Sequence, residues 1–552
     1  MPVLQTPRGT RIVPLGGAGE FGANATIIQS ERTTILVDFG IMFPPDQRQP
    51  GVDFYINDPQ LLLDQFPNLS AVFITHAHED HIGALPFLLE KIQVPVYTMP
   101  YTAKRFLIGG GFFKGFEPDI RMVELNQAVE HGDLRVEFVG VTHSIVQACA
   151  LAIDTPDGRI LHSGDFKVDP LPGDGYPFQS ERLRLLGDEG VDLLIMDSTN
   201  ATKNGFCPSD FEMIPDLEKI IAGAAGRVFF TTFSSHMPRL KKLLAIAAEL
   251  GRKICLLGRG FHKHYLTSLD TGYLTDSEVF VSRDKAANLP DERLIYVATG
   301  SQGENQSALV KITKGELGGL ELRAGDTVIF SSKTIPGNER QIALLASEME
   351  RQGVAVFTSR QAMIHTSGHG FREDLAYMLC LTRPRNVAPI HGEFHQLTHH
   401  FQWLQSLIGA DQQVLLIEDG DSLLLSRGNI SRGEIVDTRL LPVDGNQNLP
   451  LSKKILKDRK NMMYSGLILI AATVSDNPPG SRFQVATRGL AEAEEGLLAQ
   501  AVCLDLQHLD LDLIPSAEER VSLIRQQARK SLKKNFFGRP LIQIVLNGEI
   551  VS

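Results

Sequence analysis

The six residues His76-Ala77-His78-Glu79-Asp80-His81 hold four metal-ligand candidates, His76, His78, Asp80 and His81. They follow directly on the apolar run Ala71-Val72-Phe73-Ile74-Thr75. Such a run followed by polar residues reads as a buried strand that ends in a ligand loop. Imidazole nitrogens and carboxylate oxygens suit Zn2+, and a catalytic zinc takes about three protein ligands with one position left for water. One tight loop cannot fold four ligands onto a single ion, so a second ion is implied and the remaining ligands are expected at strand ends downstream. Three positions fit: His143 after the strand-like run 136–142, Asp165 after Arg159-Ile160-Leu161-His162-Ser163-Gly164, and His391 after Asn386-Val387-Ala388-Pro389-Ile390. A lone histidine after a strand is usually a hydrogen-bonded core residue. A six-residue cluster with three such partners is not explained that way.

This set resembles the metallo-β-lactamase superfamily, whose signature H-x-H-x-D-H is followed by a His, an Asp and a final His. The resemblance implies an αββα sandwich in which His76, His78 and His143 hold one zinc, Asp80, His81 and His391 hold a second, and Asp165 bridges them. It also implies that Asp38, closing the strand-like run 33–40, hydrogen-bonds the ligand loop from behind. Two ions close together clamp the attacked group and activate water, a geometry suited to phosphate esters.

The elements around the motif decide a competing assignment. Gly17-Ala18-Gly19-Glu20-Phe21-Gly22 matches G-x-G-x-x-G, and Asp38 stands roughly where a dinucleotide site places its ribose-binding acid. That reading needs a helix after the glycines. Instead the chain runs through the β-branched, alternating Asn24-Ala25-Thr26-Ile27-Ile28-Gln29-Ser30, a turn and Thr33-Thr34-Ile35-Leu36-Val37-Asp38, which predicts a hairpin.

At 552 residues the chain is long enough for two or three domains. With 43% hydrophobic residues it reads as an ordinary globular protein, and no apolar run approaches the roughly 20 residues of a membrane span. The N-terminal residues carry no signal-peptide core, so a cytoplasmic location is expected. Cys149, Cys207, Cys255, Cys380 and Cys503 are scattered and odd in number, which argues for a reducing compartment and against a disulfide scaffold. A net charge of −11 argues against coating nucleic acid by bulk electrostatics. A polyanion would have to be held by a local basic groove and by the metals.

More than two hundred residues separate Asp165 from His391. Compact hydrolases of the superfamily close that gap with a few tens, so a domain is inserted. Strands are predicted at 227–233, 253–257, 294–299, 327–331 and 354–357, with amphipathic helices at 239–250 and 338–350 among them; that alternation implies a parallel sheet. The expected division is 1–201 and 369–440 for the sandwich, 202–368 for the insertion, 441–463 for a linker, and 464–552 for a small C-terminal α/β module.

An α/β domain spliced in before the last ligand resembles the β-CASP nucleases. Asp197 matches their motif A acid, His369 in His365-Thr366-Ser367-Gly368-His369-Gly370 their motif B, and His391 their motif C. Longer strings narrow the resemblance to the bacterial ribonuclease J family over nearly the whole chain: Gly16 to Gly22, His76 to Leu85, Asp197-Ser198-Thr199-Asn200, Thr299-Gly300-Ser301-Gln302-Gly303-Glu304 and Ile335-Pro336-Gly337-Asn338. The family implies a two-zinc ribonuclease acting both internally and 5′-to-3′ from 5′-monophosphate ends in RNA maturation and decay. Asp80, Asp197 and His369 are the implied catalytic residues, and Ser332, Gly337, Asn338, His365, Thr366, Ser367, Gly368 and His369 the substrate-contact residues. RNA, a second copy or three more copies of the chain through the C-terminal module, and RNA-degradation proteins are the implied partners. Gly-rich loops at strand ends can turn N–H groups toward an anion. The chain departs from the family at Val146-Gln147-Ala148, where Pro-Asp-Ser is usual, and at Lys333-Thr334, where smaller residues or proline are expected. Lys333 reads either as an extra phosphate contact or as a solvated side chain, and the basic helix 525–534 as a solvated face. The rivals are a two-zinc thioester or lactam hydrolase, which needs no long groove, a catalytically inactive RNA-binding scaffold, and a β-CASP nuclease acting on DNA.

Overall fold

The computed structural model describes residues 8–44, 49–108, 117–172, 175–335, 338–409, 411–476, 479–490, 492–512, 514–536 and 538–551. Packing divides the chain into two compact units, one of residues up to 43 with 56–440 and one of 44–55 with 441–552.

Two sheets face each other in the first unit. One runs Asn429–Arg432, Leu423–Ser426, Thr10–Gly16, Ala25–Gln29, Thr34–Val37, Leu69–Phe73, Val96–Thr98, Ile120–Met122. The other runs Ala128–His131, Leu134–Gly140, Cys149–Thr155, Gly158–His162, Leu193–Asp197, Asn386–Ile390, Gln413–Val414. Successive strand residues point to opposite faces, so the central strands of the second sheet feed two cores. Phe138, Leu151 and Ile153 meet Val37, Phe73 and Tyr97 of the first sheet. Their neighbours Val139, Ala150 and Ala152 pack with Leu183 and Leu186 of the helix Ser180–Glu189, Leu375 and Met378 of Arg372–Thr382, and Leu404 of Phe394–Leu407. This is the metallo-β-lactamase sandwich. The stretch after the early glycines is a hairpin, Ala25–Gln29 antiparallel to Thr34–Val37, as its alternation predicts.

The insertion leaves the sandwich after Leu193–Asp197 and returns at Asn386–Ile390. These two strands are parallel neighbours with Asp197 opposite Ile390, so the ends of the excursion stand side by side. Between them lies the β-CASP sheet, Lys253–Leu257, Leu294–Ala298, Val228–Thr231, Thr327–Phe330, Ala355–Phe357, parallel throughout. Its strands were readable as continuous apolar runs because helices such as Met237–Glu249 and Glu339–Arg351 accompany them.

In the second unit, Pro479–Arg488, Leu467–Asp476, Leu541–Leu546 and Glu549–Val551 form a sheet, with helices Glu492–Leu506 and Ala517–Asn535. Ile468, Ile470, Val502, Ile524 and Ile544 are among its core residues. Arg529, Lys530, Lys533 and Lys534 are exposed, as a solvated face requires. The stretch expected as a linker contains the helix Lys453–Ser465, capped by the Ser452 side chain accepting from Ile455 N (3.3 Å). None of its residues is buried, so no apolar period marked it in the sequence. No helix among the described residues is long and apolar enough to cross a membrane.

Candidate metal centre

Strand ends deliver the candidate ligands. Leu69–Phe73 runs into His76, His78, Asp80 and His81; Leu134–Gly140 precedes His143, Gly158–His162 precedes Asp165, and Asn386–Ile390 ends at His391. Their donor atoms converge in two groups, His76, His78, His143 and Asp165, and Asp80, His81, Asp165 and His391, each within 4.8 Å. Asp165 belongs to both. A third group joins Asp197, His369 and His391.

The hydrogen bonds behind these side chains settle which nitrogen faces inward. His143 Nδ1 donates to Gly368 O at 2.6 Å, and a carbonyl can only accept, so Nδ1 carries the proton and Nε2 faces the centre. Asp38 Oδ2 takes the His81 Nδ1 proton at 2.7 Å, leaving Nε2 3.3 Å from Asp165 Oδ2. His391 Nδ1 meets Thr199 Oγ1 at 2.8 Å and turns Nε2 toward Asp80 (3.4 Å) and Asp165 (3.6 Å). His76 Nδ1 meets Thr75 Oγ1 at 3.0 Å. His76 Nε2 and His143 Nε2 each lie 3.1 Å from His78 Nδ1, so three ring nitrogens meet where protons cannot satisfy every lone pair. A divalent cation can, and the donor set fits one in each group.

Electrostatics favour the same occupant. Burial holds His76 and His143 well below the ordinary imidazole range and brings His78 down to about 4. Burial pushes His81 and His391 down too, but Asp165, Asp80 and Asp38 carry His81 well above its ordinary value, and Asp165, Asp80 and Asp197 carry His391 up to about 9. Burial raises Asp165, yet His391 and His81 outweigh it and hold the carboxyl far below its usual range. Without metal, protons stand in for cations beside these carboxylates.

The backbone is shaped to the cluster. Asp38 (φ 60°) and His391 (φ 57°) both adopt the left-handed region, uncommon for such residues and typical of functional sites. Asp38 also accepts from Thr75 N and Thr75 Oγ1, both at 2.8 Å, which pins the start of the ligand loop. A Cβ on Gly40 would lie 1.6 Å from Asp80 O, and one on Gly368 would lie 2.8 Å from the His143 ring. Both positions exclude a side chain because the loops touch there.

His369 sits at the mouth, its side chain 20% exposed. Its Nδ1 lies 2.7 Å from Asp197 Oδ2 and its Nε2 4.0 Å from Asp165 Oδ2. Asp197 is itself fixed by Thr199 N (2.9 Å) and Thr199 Oγ1 (2.8 Å). Ser367 Oγ accepts from Asn200 Nδ2 (2.9 Å) and His369 N (3.2 Å), so its own proton remains to donate.

The other expected substrate residues are placed differently. His365 Nδ1 meets the fully buried Arg239 at 2.8 Å, and Thr366 Oγ1 bonds Asp210, so both turn into a buried network that also holds Lys167. Ser332 Oγ donates to Ser301 O (3.3 Å), and Asn338 Nδ2 approaches Gln302 Oε1 (3.5 Å). Gly337 lies outside the described residues. In the loop from Thr299 to Glu304, Gly303 N is taken by Gly300 O and Gln302 N by Glu304 Oε2. In the departing loop, Gln147 accepts from Tyr101 N (2.7 Å), at the start of Pro100–Ile108, and donates to Tyr176 Oη (2.7 Å). Sequence reasoning left Thr75, Thr199, Asn200 and Asn24 without roles; Asn24 Nδ2 holds Asp80 O at 3.0 Å. Only adjacency to the motifs pointed to the first three, and nothing local marked Asn24.

Comparison with known proteins agrees with this architecture. Residues 18–205 match the metallo-β-lactamase superfamily, 225–349 the ribonuclease J β-CASP domain, and 353–414 the Zn-dependent metallo-hydrolase RNA specificity domain. Ribonuclease J of Mycolicibacterium smegmatis is 33% identical over 98% of both chains. Ribonuclease J of Thermus thermophilus is 35% identical over 90% of this chain and 88% of its own. A crystal structure of a protein of unknown function from Enterococcus faecalis aligns over 76% of this chain and 100% of its own, with TM-score 0.54 at 18% identity, a likeness of fold.

Proposed function

The chain belongs to the ribonuclease J family, and on that premise we propose that it hydrolyses RNA phosphodiester bonds with two zinc ions, both internally and 5′-to-3′ from 5′-monophosphate ends, in cytoplasmic RNA maturation and decay. The observation that carries the reading is the pair of His/Asp cages sharing Asp165, with the His369–Asp197 pair at their mouth. His76, His78 and His143 are assigned to one ion and Asp80, His81 and His391 to the other. Bound ions supply Lewis acidity toward a phosphoryl oxygen and lower the pKa of a water.

The chain's own residues do the rest. Asp197 accepts the Nδ1 proton of His369 and stabilises the ring when its Nε2 carries a proton for the leaving 3′ oxygen. Asp80, in the cage it forms with His81 and His391, orients the attacking side. The free proton of Ser367 donates to a phosphate oxygen of the substrate, with Gly368 holding the loop against His143. His365 and Thr366 act from below by fixing that loop through Arg239 and Asp210, while Ser332 and Asn338 line the insertion's side of the path. Residues 1–201 and 369–440 form the catalytic body, 202–368 the insertion, 441–463 the connection, and 464–552 a module through which two or four copies associate and RNA-degradation proteins are met.

The test is end-labelled RNA and matched DNA carrying 5′-monophosphate or 5′-triphosphate, with and without chelator. Metal-dependent cleavage of RNA, faster from a monophosphate end, is expected. His369→Ala is expected to slow both internal and terminal cleavage by about 10²–10⁴-fold with metal content unchanged. Equal terminal rates for the two ends, or wild-type internal cleavage by the variant, would overturn the reading.

A further inference from the structure

Lys203 and Lys333 come from opposite sides of the insertion, one shortly after Asp197-Ser198-Thr199-Asn200 and one in the loop after Thr327–Phe330. The fold brings the Lys333 amine close enough to Lys203 for its charge to act there. Lys203 Nζ lies 4.6 Å over the Phe371 ring, two residues beyond His369, and Lys203 O accepts from Arg372 N at 2.9 Å. Lys333 is held through its carbonyl, which accepts from Gln302 Nε2 at 2.9 Å, so its exposed side chain is presented by a fixed backbone. Asn200, three residues before Lys203, holds Ser367. The lysine pair therefore stands beside the Ser367–His369 loop and outside the metal cages.

Two like charges in contact repel, and a protein normally places a carboxylate between them. Among the described residues neither lysine has a carboxylate oxygen within 4.0 Å, although ion pairs of that kind are common elsewhere in the chain. Burial, with the Lys333 charge, brings Lys203 down to about 8, the response of an ammonium that lacks its counter-ion. Lysine ammonium groups with no internal anion suit an external one, and phosphate is the anion of this protein's substrate class.

We propose that Lys203 and Lys333 form a phosphate subsite, distinct from the Ser367–His369 contact, that takes one phosphoryl group of the bound strand. The inference rests on the nuclease reading and adds a specificity element to it. The phosphoryl group has two sources, a backbone phosphate or the phosphate chain at the 5′ end.

The experiment measures binding of short 2′-O-methyl RNA, which resists cleavage, to the zinc-loaded full chain across a series of salt concentrations. It uses 5′-hydroxyl, 5′-monophosphate and 5′-triphosphate forms. Each phosphate contact to a single strand contributes a slope of about 0.7 in log K against log salt. Lys333→Gln and Lys203→Met, which keeps an unbranched side chain beside Phe371, are each expected to lower the slope by part of that amount and the double variant by about all of it, while Lys333→Arg is expected to keep it. Loss of slope on all three RNAs assigns the site to a backbone phosphate, and loss confined to the phosphorylated forms assigns it to the terminus. A double variant that is folded by circular dichroism and keeps the wild-type slope on every RNA overturns the subsite. A wild type that neither binds nor cuts RNA overturns the nuclease reading instead.

Discussion

Replacing Asp38 with Asn isolates the hydrogen bonds behind the metal cages from the cages themselves. Asp38 Oδ1 accepts from Thr75 N, and Oδ2 accepts from both Thr75 Oγ1 and His81 Nδ1, at 2.8, 2.8 and 2.7 Å. Asparagine has the same shape but only one oxygen. If its NH2 group takes the Oδ1 position, it opposes the Thr75 N–H. If it takes the Oδ2 position, it opposes the His81 Nδ1 proton, and relief requires moving that proton to Nε2, where it blocks the nitrogen facing Asp165. Either way at least one buried donor loses its acceptor, a penalty of about 1–3 kcal/mol for each. At about 1.4 kcal/mol per decade that is roughly a 5- to 150-fold loss in affinity. It agrees with the 10–100-fold typical when a ligand's outer hydrogen bond is removed. Chelator competition on purified Asp38→Asn should show the loss mainly for the ion held by Asp80, His81, Asp165 and His391. Wild-type affinity for both ions, with unchanged thermal stability, would refute the claim that Asp38 sets the His81 tautomer.

Asp165→Ala should remove more bound metal than His143→Ala or His391→Ala, because its carboxylate reaches both groups; metal analysis showing two full equivalents in the variant would refute the shared position. Metal uptake near pH 7.5 should release protons, since His391, at about 9, is charged in the metal-free protein; titration heats that do not vary with buffer ionisation enthalpy would refute this. The sign carries over to stability: with their values raised above the unfolded imidazole value of about 6.5, His81 and His391 stabilise the metal-free fold fully below that pH, and the His391 contribution disappears as pH rises through about 9. Ending the chain near Pro450 should lower the solution mass to smaller assemblies while metal content persists, as measured by light scattering; an unchanged assembly would place the association elsewhere.

What the sequence determined by itself was whatever local spacing encodes. Four ligands in six residues announce a metal loop because the loop must supply them within one turn of backbone. The buried parallel strands of the insertion show as apolar runs because both their faces are covered. The distance from Asp165 to His391 announces a domain because no compact connection needs that length. Features without a local period stayed hidden: the helix Lys453–Ser465 has no apolar face, and His365 and Thr366 look like their neighbours Ser367 and His369 until Arg239 and Asp210 claim them. Only tertiary structure decided that the donor atoms converge in two groups through Asp165, that Asp197 and His391 stand on adjacent parallel strands, and that the Lys333 charge acts on Lys203. Those facts depend on strand pairing and loop approach between segments far apart in the chain. Such contacts leave no trace in local pattern because either partner alone is compatible with many environments.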